Sequence, residues 1–280
     1  MIVVDRQKYA LFVRCPIPGE CLKCPFRGRS ITYGPFRSRR RGTSIGINLF
    51  LGRKVCSFNC VYCFRGKTSI KTMNLVSGDY DIPPELLREA LKEAVRNVEE
   101  LRAIDFSGSG EPTLHRRFNE YVDVVMDFVK KVNPNISVGV FTNSSTLGIE
   151  SVVKALLKLE YVEAKLDTVV QWKFKVINRP HKSLNVNDII RNLRSFRKRF
   201  SGTLVIQIML VKYLNVVNWS IRDAELMADV ISAIEPDEVH VYTAYRMPRL
   251  STVSRAKEED MYVYSKILKE RGLKVELYTH

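Results

Sequence analysis

Cys56-Ser-Phe-Asn-Cys60-Val-Tyr-Cys63 stands a few residues after an apolar, β-rich run, Ser44–Leu51. The CxxxCxxC spacing lets one loop wrap a compact cluster with three thiolates, as iron–sulfur ligation requires. Three thiolates leave one iron open to a ligand from outside the protein. Structural zinc normally closes with four protein ligands, and the four histidines (115, 181, 240 and 280) lie far along the chain. The spacing alone admits either metal. Its place after the first strand of a βα series favours the cluster.

Outward from that loop, short β-rich runs alternate with helical patterns. Strands are predicted at Ser44–Leu51, Ala103–Ser107, Ser137–Thr142, Val162–Leu166, Leu204–Val211 and Glu238–Thr243. Apolar positions at 3.6 spacing predict helices near 84–102, 117–131, 149–159, 187–199 and 220–234. Pro83 and Pro84 open the first helix, with Asp81 as a cap near its start and Glu85 in its first turn. Six strands with intervening helices imply an α/β fold with a mostly parallel sheet. An open doubly wound sheet and a partial (β/α)6 TIM-like barrel both satisfy this count. In either, ligand loops follow the carboxyl ends of the strands. The cysteines follow the first strand there, GSGEPT the second and TNSS the third, and Asp167 ends the fourth. Residues 1–43 read as an irregular, basic, Cys-rich extension and 44–244 as the barrel. Residues 245–280 read as a short tail with a helix near 256–271 and the run KVELYTH.

CSFNCVYC, followed after the next strand by Ser107-Gly-Ser-Gly-Glu-Pro-Thr-Leu114, resembles the radical S-adenosylmethionine (SAM) superfamily. YGPFRSRR (33–40), FTNSS (141–145), KLD (165–167), INRPH (177–181), QIMLVKYLN (207–215) and DEVHVYTAYRMP (237–248) extend the likeness from residue 33 to about 250. Together they resemble the branch that holds the archaeal tRNA 4-demethylwyosine synthase and its uncharacterised relatives. The resemblance implies a [4Fe–4S] cluster on Cys56, Cys60 and Cys63 whose open iron chelates the amino and carboxylate groups of SAM. One-electron reduction then yields a 5′-deoxyadenosyl radical that abstracts hydrogen, with the cofactor supplying the hard chemistry. It also implies Tyr62 beside the adenine and the Gly108–Glu111 loop, with Gly110, at the methionine amino group. Asn143, Asp167 and Gln207 would lie near the ribose or carboxylate.

The residues themselves agree with that allocation. Gly108 and Gly110 permit close backbone approach, and their carbonyls can accept from an ammonium. Asn143 also suits an ordinary turn or cap. Gln207 lies in a buried strand where an unpaired amide is costly, so it needs a partner, ligand or backbone. Lys165 shares a face with Asp167. It is either a desolvated lysine able to form a Schiff base with a carbonyl substrate or a plain charge partner, in a salt bridge with Asp167 or an anion contact. Arg179 and His181, flanking Pro180, are candidates for substrate contact or for plain surface. Asn215 is a further substrate candidate.

Cys15, Cys21 and Cys24 form a second trio, C-x5-C-x2-C. A second cluster with an open iron, a zinc site completed from a distance and free thiols all compete here. The wyosine synthase also carries three N-terminal cysteines for a second cluster, but spread more widely. Residues 1–71 hold fifteen Lys and Arg against Asp5 and Glu20, which is +13 of the chain's net +15. A field so concentrated attracts phosphate-rich partners. The arginines of FRSRRR, Arg39 and Arg40 among them, precede the first strand and are candidates to reach the cofactor mouth or a polyanion crossing it. The run Arg191, Arg194, Arg197, Lys198 and Arg199 sits near a helix C-terminus and reads as a solvated face.

At 280 residues, 45% hydrophobic and 27% charged, the chain suits a folded globular class. The apolar run Leu204–Val211 is too short to span a bilayer, and the N-terminus lacks the pattern of a signal peptide. Membrane, secreted and collagenous classes are therefore not expected. The expectation is a cytoplasmic radical SAM enzyme fed by a one-electron donor such as ferredoxin or flavodoxin and modifying RNA at a tRNA base. A protein, peptide or small metabolite is the alternative substrate. A zinc-stabilised nucleic-acid-binding protein without catalysis is the third reading.

Overall fold

Along most of the predicted strands apolar residues alternate with polar or small ones, Leu204–Val211 being nearly continuous in apolar residues. The computed structural model describes residues 9–15, 23–26 and 28–279. Its strands are β1 (Ala10–Arg14), β2 (Ser30–Ser38), β3 (Gly42–Asn48), β4 (Val55–Cys56), β5 (Ile70–Lys71), β6 (Ala103–Ser107), β7 (Ser137–Thr142), β8 (Tyr161–Lys165), β9 (Thr203–Tyr213), β10 (Val216–Val217), β11 (Glu238–Thr243), β12 (Val253–Arg255) and β13 (Val275–Tyr278). Its helices are α1 (Pro84–Arg96), α2 (Phe118–Val132), α3 (Glu150–Leu156), α4 (Gln171–Ile177), α5 (Val186–Arg197), α6 (Ile221–Ser232) and α7 (Glu258–Glu270). β3, β6, β7, β8, β9 and β11 are consecutive, parallel neighbours. This is the mostly parallel α/β sheet that the alternation predicts, in the strand order of a partial TIM-like barrel.

Ile45, Ile47, Ile104, Phe106, Val138, Val140, Val162, Ala164, Ile206, Ile208, Val239 and Val241 form one buried core with the helices. Strand geometry sends the alternate residues to the opposite, inner face. There a polar network replaces an apolar core. Glu163 accepts from Arg40, from the Gln207 amide and, at 2.9 Å, from the Tyr161 hydroxyl. Arg41 Nε donates to Asp105 at 3.2 Å. Burial lifts Asp105 to about 6, with Arg41 opposing it.

Arg39, Arg40 and Arg41 belong to the β2–β3 turn, at the amino end of β3 and thus opposite the cysteine loop. Arg39 stacks on Tyr278 of β13 with 4.9 Å between guanidinium carbon and ring centre. The β2–β3 turn therefore meets β13, the strand at the far edge of the sheet, through arginine and tyrosine. This corrects the expectation that Arg39 and Arg40 reach the cofactor mouth: Arg40 is spent inside the barrel on Glu163.

The N-terminal region is more regular than its composition suggests. β2 pairs antiparallel with β3, and β1 pairs parallel with β2, so residues 10–14 and 30–38 extend the main sheet. Pro35 hid β2, yet it lies past the last β1 partner, Gly34, and inside a register shift between Tyr33 and Phe36. A proline is tolerated at such a bulge. At the other end β13 pairs with β11, and β10 and β12 pair antiparallel with the extended end of β9. The first helix stops at Arg96, and its cap position is Pro83 with no side-chain capping bond. Asp81, expected as the cap, instead accepts from Arg116 at 3.0 Å. No helix among the described residues is long and apolar enough to cross a membrane.

Candidate active site at the carboxyl ends of the strands

The cysteine loop hangs on neighbours rather than on its own secondary structure. Cys56 ends β4, which pairs with β5 and bridges to Gly110 through Val55. Glu111 N–H donates to Val55 O at 2.9 Å. From the far side, Val61 N–H reaches Ile177 O at 2.9 Å and Asn59 N–H reaches Asn178 O at 3.0 Å. These acceptors are carbonyls left over at the end of α4. His181 N–H donates to Ser57 O at 2.7 Å. The INRPH segment thus docks the loop through its backbone.

Each sulfur faces nitrogen donors. Lys54 Nζ donates to Cys63 Sγ at 3.0 Å. Phe58 N–H and the Asn143 amide both lie 3.4 Å from Cys56 Sγ. The Asn178 amide lies 3.6 Å from Cys60 Sγ. Burial pushes the thiols of Cys56 and Cys60 up to about 12 and about 11. At Cys63 burial acts the same way, but the Lys54 ammonium outweighs it and the thiol is lowered. Buried thiols with donors aimed at sulfur suit thiolates that are deprotonated by metal, and hydrogen bonds to sulfur are one of the protein's levers on a cluster. Among the described residues no His, Cys, Asp or Glu trio is gathered around the position of a single metal ion. A polynuclear cluster, whose thiolates bind separate irons, does not ask for that gathering.

Glu111 is a clamp. Its carboxylate accepts from Thr113 Oγ1 at 2.6 Å, Thr142 Oγ1 at 2.7 Å and Asn143 N–H at 2.6 Å, with Thr113 N–H at 3.3 Å. The GSGEPT and TNSS loops are joined through it. Asn143 then turns its amide to Ser57 Oγ at 2.8 Å and to Cys56. Asn48 of β3 accepts from Ser109 N–H at 2.9 Å and supports the glycine loop from below. Gly108 and Gly110 have φ of +111° and +121°, where only glycine is comfortable.

Asp167 is the second hub. Its carboxylate accepts from Tyr62 OH, from the Asn178 amide at 2.6 Å, from Met209 N–H at 2.9 Å and from Lys165 Nζ at 3.2 Å. Of the two readings of Lys165, the ion pair is the one observed. Burial draws its ammonium down, but Asp167, Tyr242 and Cys60 outweigh that and the net shift is upward. A Schiff-base lysine calls for a disfavoured ammonium, whereas the pair with Asp167 favours it. The Gln207 amide of β9 donates to Glu163 on the adjacent strand β8. Tyr62 is buried, with its hydroxyl committed to Asp167.

Arg179, His181 and Asn215 stand on the rim of this face. Arg179 donates to Tyr213 OH at 2.7 Å, and Asn215 is exposed at the β9–β10 turn. His181 Nδ1 lies 2.8 Å from Ser183 Oγ. The loop segments 64–71, 178–185, 211–219 and 244–255 together carry nine Lys or Arg and no Asp or Glu. The two acids in neighbouring loops, Glu111 and Asp167, are buried. Aromatic rings interleave with the cations: Arg246 stacks on Phe64, Arg179 on Tyr213 and Arg255 on Tyr245, at 4.6, 5.1 and 5.3 Å. By contrast, the basic run on α5 is a surface face, with Arg191 on Asp188, Arg197 on Asp237 and Arg199 on Glu150.

Sequence reasoning passed over Lys54, Asn178, Ser57 and Asn48. Lys54 precedes the first cysteine by two residues, and Asn178 lies inside INRPH, so both were within reach of a closer reading. Ser57 pairs with Ser145 at 2.7 Å, a contact no spacing announces. Of the N-terminal trio, Cys15 follows β1 and Cys24 is half-buried, while Cys21 lies outside the described residues.

The radical SAM superfamily profile matches residues 54–220, from Lys54 through the Asp167 hub. A UPF0026 protein of Methanocaldococcus jannaschii is 30% identical over 240 residues, covering 85% of this chain and 70% of that protein. Among solved structures, a radical SAM methyltransferase from Sphaerobacter thermophilus superposes with a TM-score of 0.64 at 14% identity, over 86% of this chain and 67% of that one. The crystal structure of archaeal TYW1 gives a TM-score of 0.53 at 14% identity, over 84% and 73%. At such identities the likeness is one of fold. The family match rests on the sequence itself, and the chain belongs to the radical SAM superfamily of enzymes.

Proposed function

We propose that this enzyme binds a [4Fe–4S] cluster through Cys56, Cys60 and Cys63 and modifies RNA, at a base of tRNA. The cluster, when bound, supplies the electron that cleaves SAM to methionine and a hydrogen-abstracting 5′-deoxyadenosyl radical. The chain's residues hold and orient the reactants. Carbonyls of the Gly108–Gly110 loop are the acceptors for the methionine ammonium, and Glu111 keeps that loop fixed to Asn143. Tyr62 and Asn178, tied to Asp167, would hold the adenosine. Lys165, Arg179, His181 and Asn215 line the approach for substrate. A ferredoxin or flavodoxin is the electron donor in this reading, and Cys15, Cys21 and Cys24 hold a second cluster, on their spacing alone.

The observation that carries the RNA assignment is the rim: nine cations, no carboxylate, and arginine–aromatic stacks around the cysteine loop. Phosphates meet the cations, and unstacked bases meet the ring and guanidinium planes. The test is anisotropy binding of unmodified tRNA transcripts by anaerobic protein between 50 and 200 mM salt. Five phosphate contacts to single strands, at a slope of about 0.7 each, weaken binding roughly a hundredfold over that range. Lys182→Glu and Arg246→Glu should each flatten the slope by about one contact. RNA should also raise 5′-deoxyadenosine release. Salt-insensitive binding with no stimulation would sink the RNA assignment in favour of a peptide or metabolite substrate.

A further inference from the structure

Lys54 is the one ammonium placed directly on a cysteine sulfur of the CxxxCxxC loop among the described residues. Its Nζ lies 3.0 Å from Cys63 Sγ and 2.8 Å from Gly66 O. The residue is 7% exposed. No carboxylate of the described residues pairs with it, and the charges it faces are those of Cys63, Cys56 and Cys60. Its backbone is pinned as well, since Lys54 O accepts from Ser69 and Ile70 N–H at 3.0 Å each. A buried ammonium without a counter-ion is costly. The anion that completes this site is the thiolate of Cys63.

We propose that Lys54 sets the reduction potential of the cluster held by this loop, by holding a buried positive charge on the Cys63 sulfur; this rests on the cluster assignment above. Potentials of such clusters follow net charge and hydrogen bonds to sulfur. The electron from the donor adds one negative charge to the site. No proton moves at Lys54, which is already an ammonium, and no bond is made or broken there. The fixed charge therefore favours the reduced form over the oxidised one. The other two sulfurs meet uncharged donors among the described residues: N–H groups at 3.4 to 3.6 Å and, at Cys60, the Tyr62 hydroxyl. Lys54 is thus a positioning residue with an electrostatic task, acting on one corner of the cluster.

The experiment is an EPR-monitored redox titration of reconstituted parent, Lys54→Gln and Lys54→Arg, with iron and acid-labile sulfide measured on each. Lys54→Gln should lower the reduced-to-oxidised ratio at fixed potential about tenfold, a fall of about 59 mV for one electron. Lys54→Arg keeps the charge and should stay within about twofold. A fully loaded Lys54→Gln with an unchanged midpoint overturns the proposal. If Lys54→Gln fails to load, the parent labelled with 15N-lysine decides instead. A 15N coupling to the reduced cluster supports the contact, and its absence overturns it. Failure of the underlying assignment looks different: the parent itself would hold no iron.

Discussion

Gly110→Ala tests the central mechanical claim, that the glycine loop and the cysteine strand are fitted to each other at backbone contact. A methyl group at Gly110 would lie 1.7 Å from Val55 O and 2.6 Å from Val55 C. Both are main-chain atoms, so no side chain can swing aside. Relief requires β4 to retreat by more than about 1 Å, since ordinary carbon contacts are near 3.5 Å. That retreat breaks the 2.9 Å bond from Glu111 N–H to Val55 O and carries Cys56 with it. An unsatisfied buried donor costs about 1–3 kcal/mol, and an alanine at φ +121° adds roughly 1–3 kcal/mol. The sum, about 4 kcal/mol, corresponds to a Tm fall of about 7 °C for a chain of this size. Gly272→Ala is the control. It has φ +79° and nothing within 4 Å of the added carbon, so it carries the backbone strain alone. Calorimetry of the two variants separates the steric part, and iron content after reconstitution reports the displaced Cys56. If Gly110→Ala melts no lower than Gly272→Ala and loads iron normally, the close fit is wrong.

Four further outcomes follow from other parts of the molecule. Asp167→Asn strands the Lys165 ammonium, 17% exposed, and should cost about 3–5 kcal/mol in urea unfolding, with Lys165→Met in the same chain recovering much of it. A double variant no better than the single one would refute the pairing argument. His115 is lowered to about 4 by burial, against 6.5 unfolded, so the folded state binds fewer protons. Stability is then fully present above pH 6.5 and is lost as pH falls toward 4, by about 2 kcal/mol between pH 7 and 5; His115→Gln should flatten that dependence in urea midpoints. Arg40→Met leaves Glu163 buried without its cation and should cost about 3 kcal/mol, yet iron loading should be unchanged because the pair lies at the opposite end of the barrel. Alanine at Cys15, Cys21 and Cys24 together should halve iron from about eight to about four per chain if that trio ligates a second cluster, whereas about four in both proteins refutes the second cluster.

Much of the fold was readable because its signals are local. Ala103–Ser107, Ser137–Thr142 and Glu238–Thr243 were legible residue for residue, since each is a short β-rich run with apolar residues at alternate positions. β2 was not, because Pro35 and the arginines after it mask a strand whose stability comes from β1 and β3. α4 was missed for a related reason: only Phe174 and Ile177 of its seven residues are buried, too few to show a period. Of the site, Cys56, Cys60, Cys63 and the glycine loop were legible as motifs. The Lys165–Asp167 pair was within reach as well, but the bonds from Glu111 to Thr142, from Asp167 to Met209 and from Gln207 to Glu163 were not, because they join loops or strands far apart in the chain.

The sequence by itself determined the superfamily, the alternation of strand and helix, and which loops carry chemistry, because these depend on spacing and on side-chain period. Only the tertiary structure decided where each charge is spent. Arg40, expected at the cofactor mouth, pairs with Glu163 on the inner face, and Lys165, for which two roles were open, is bound to Asp167. Lys54, unremarked in sequence, lies on a cysteine sulfur. Pairing energy depends on distance and burial, and neither is a property of a residue's place in the chain.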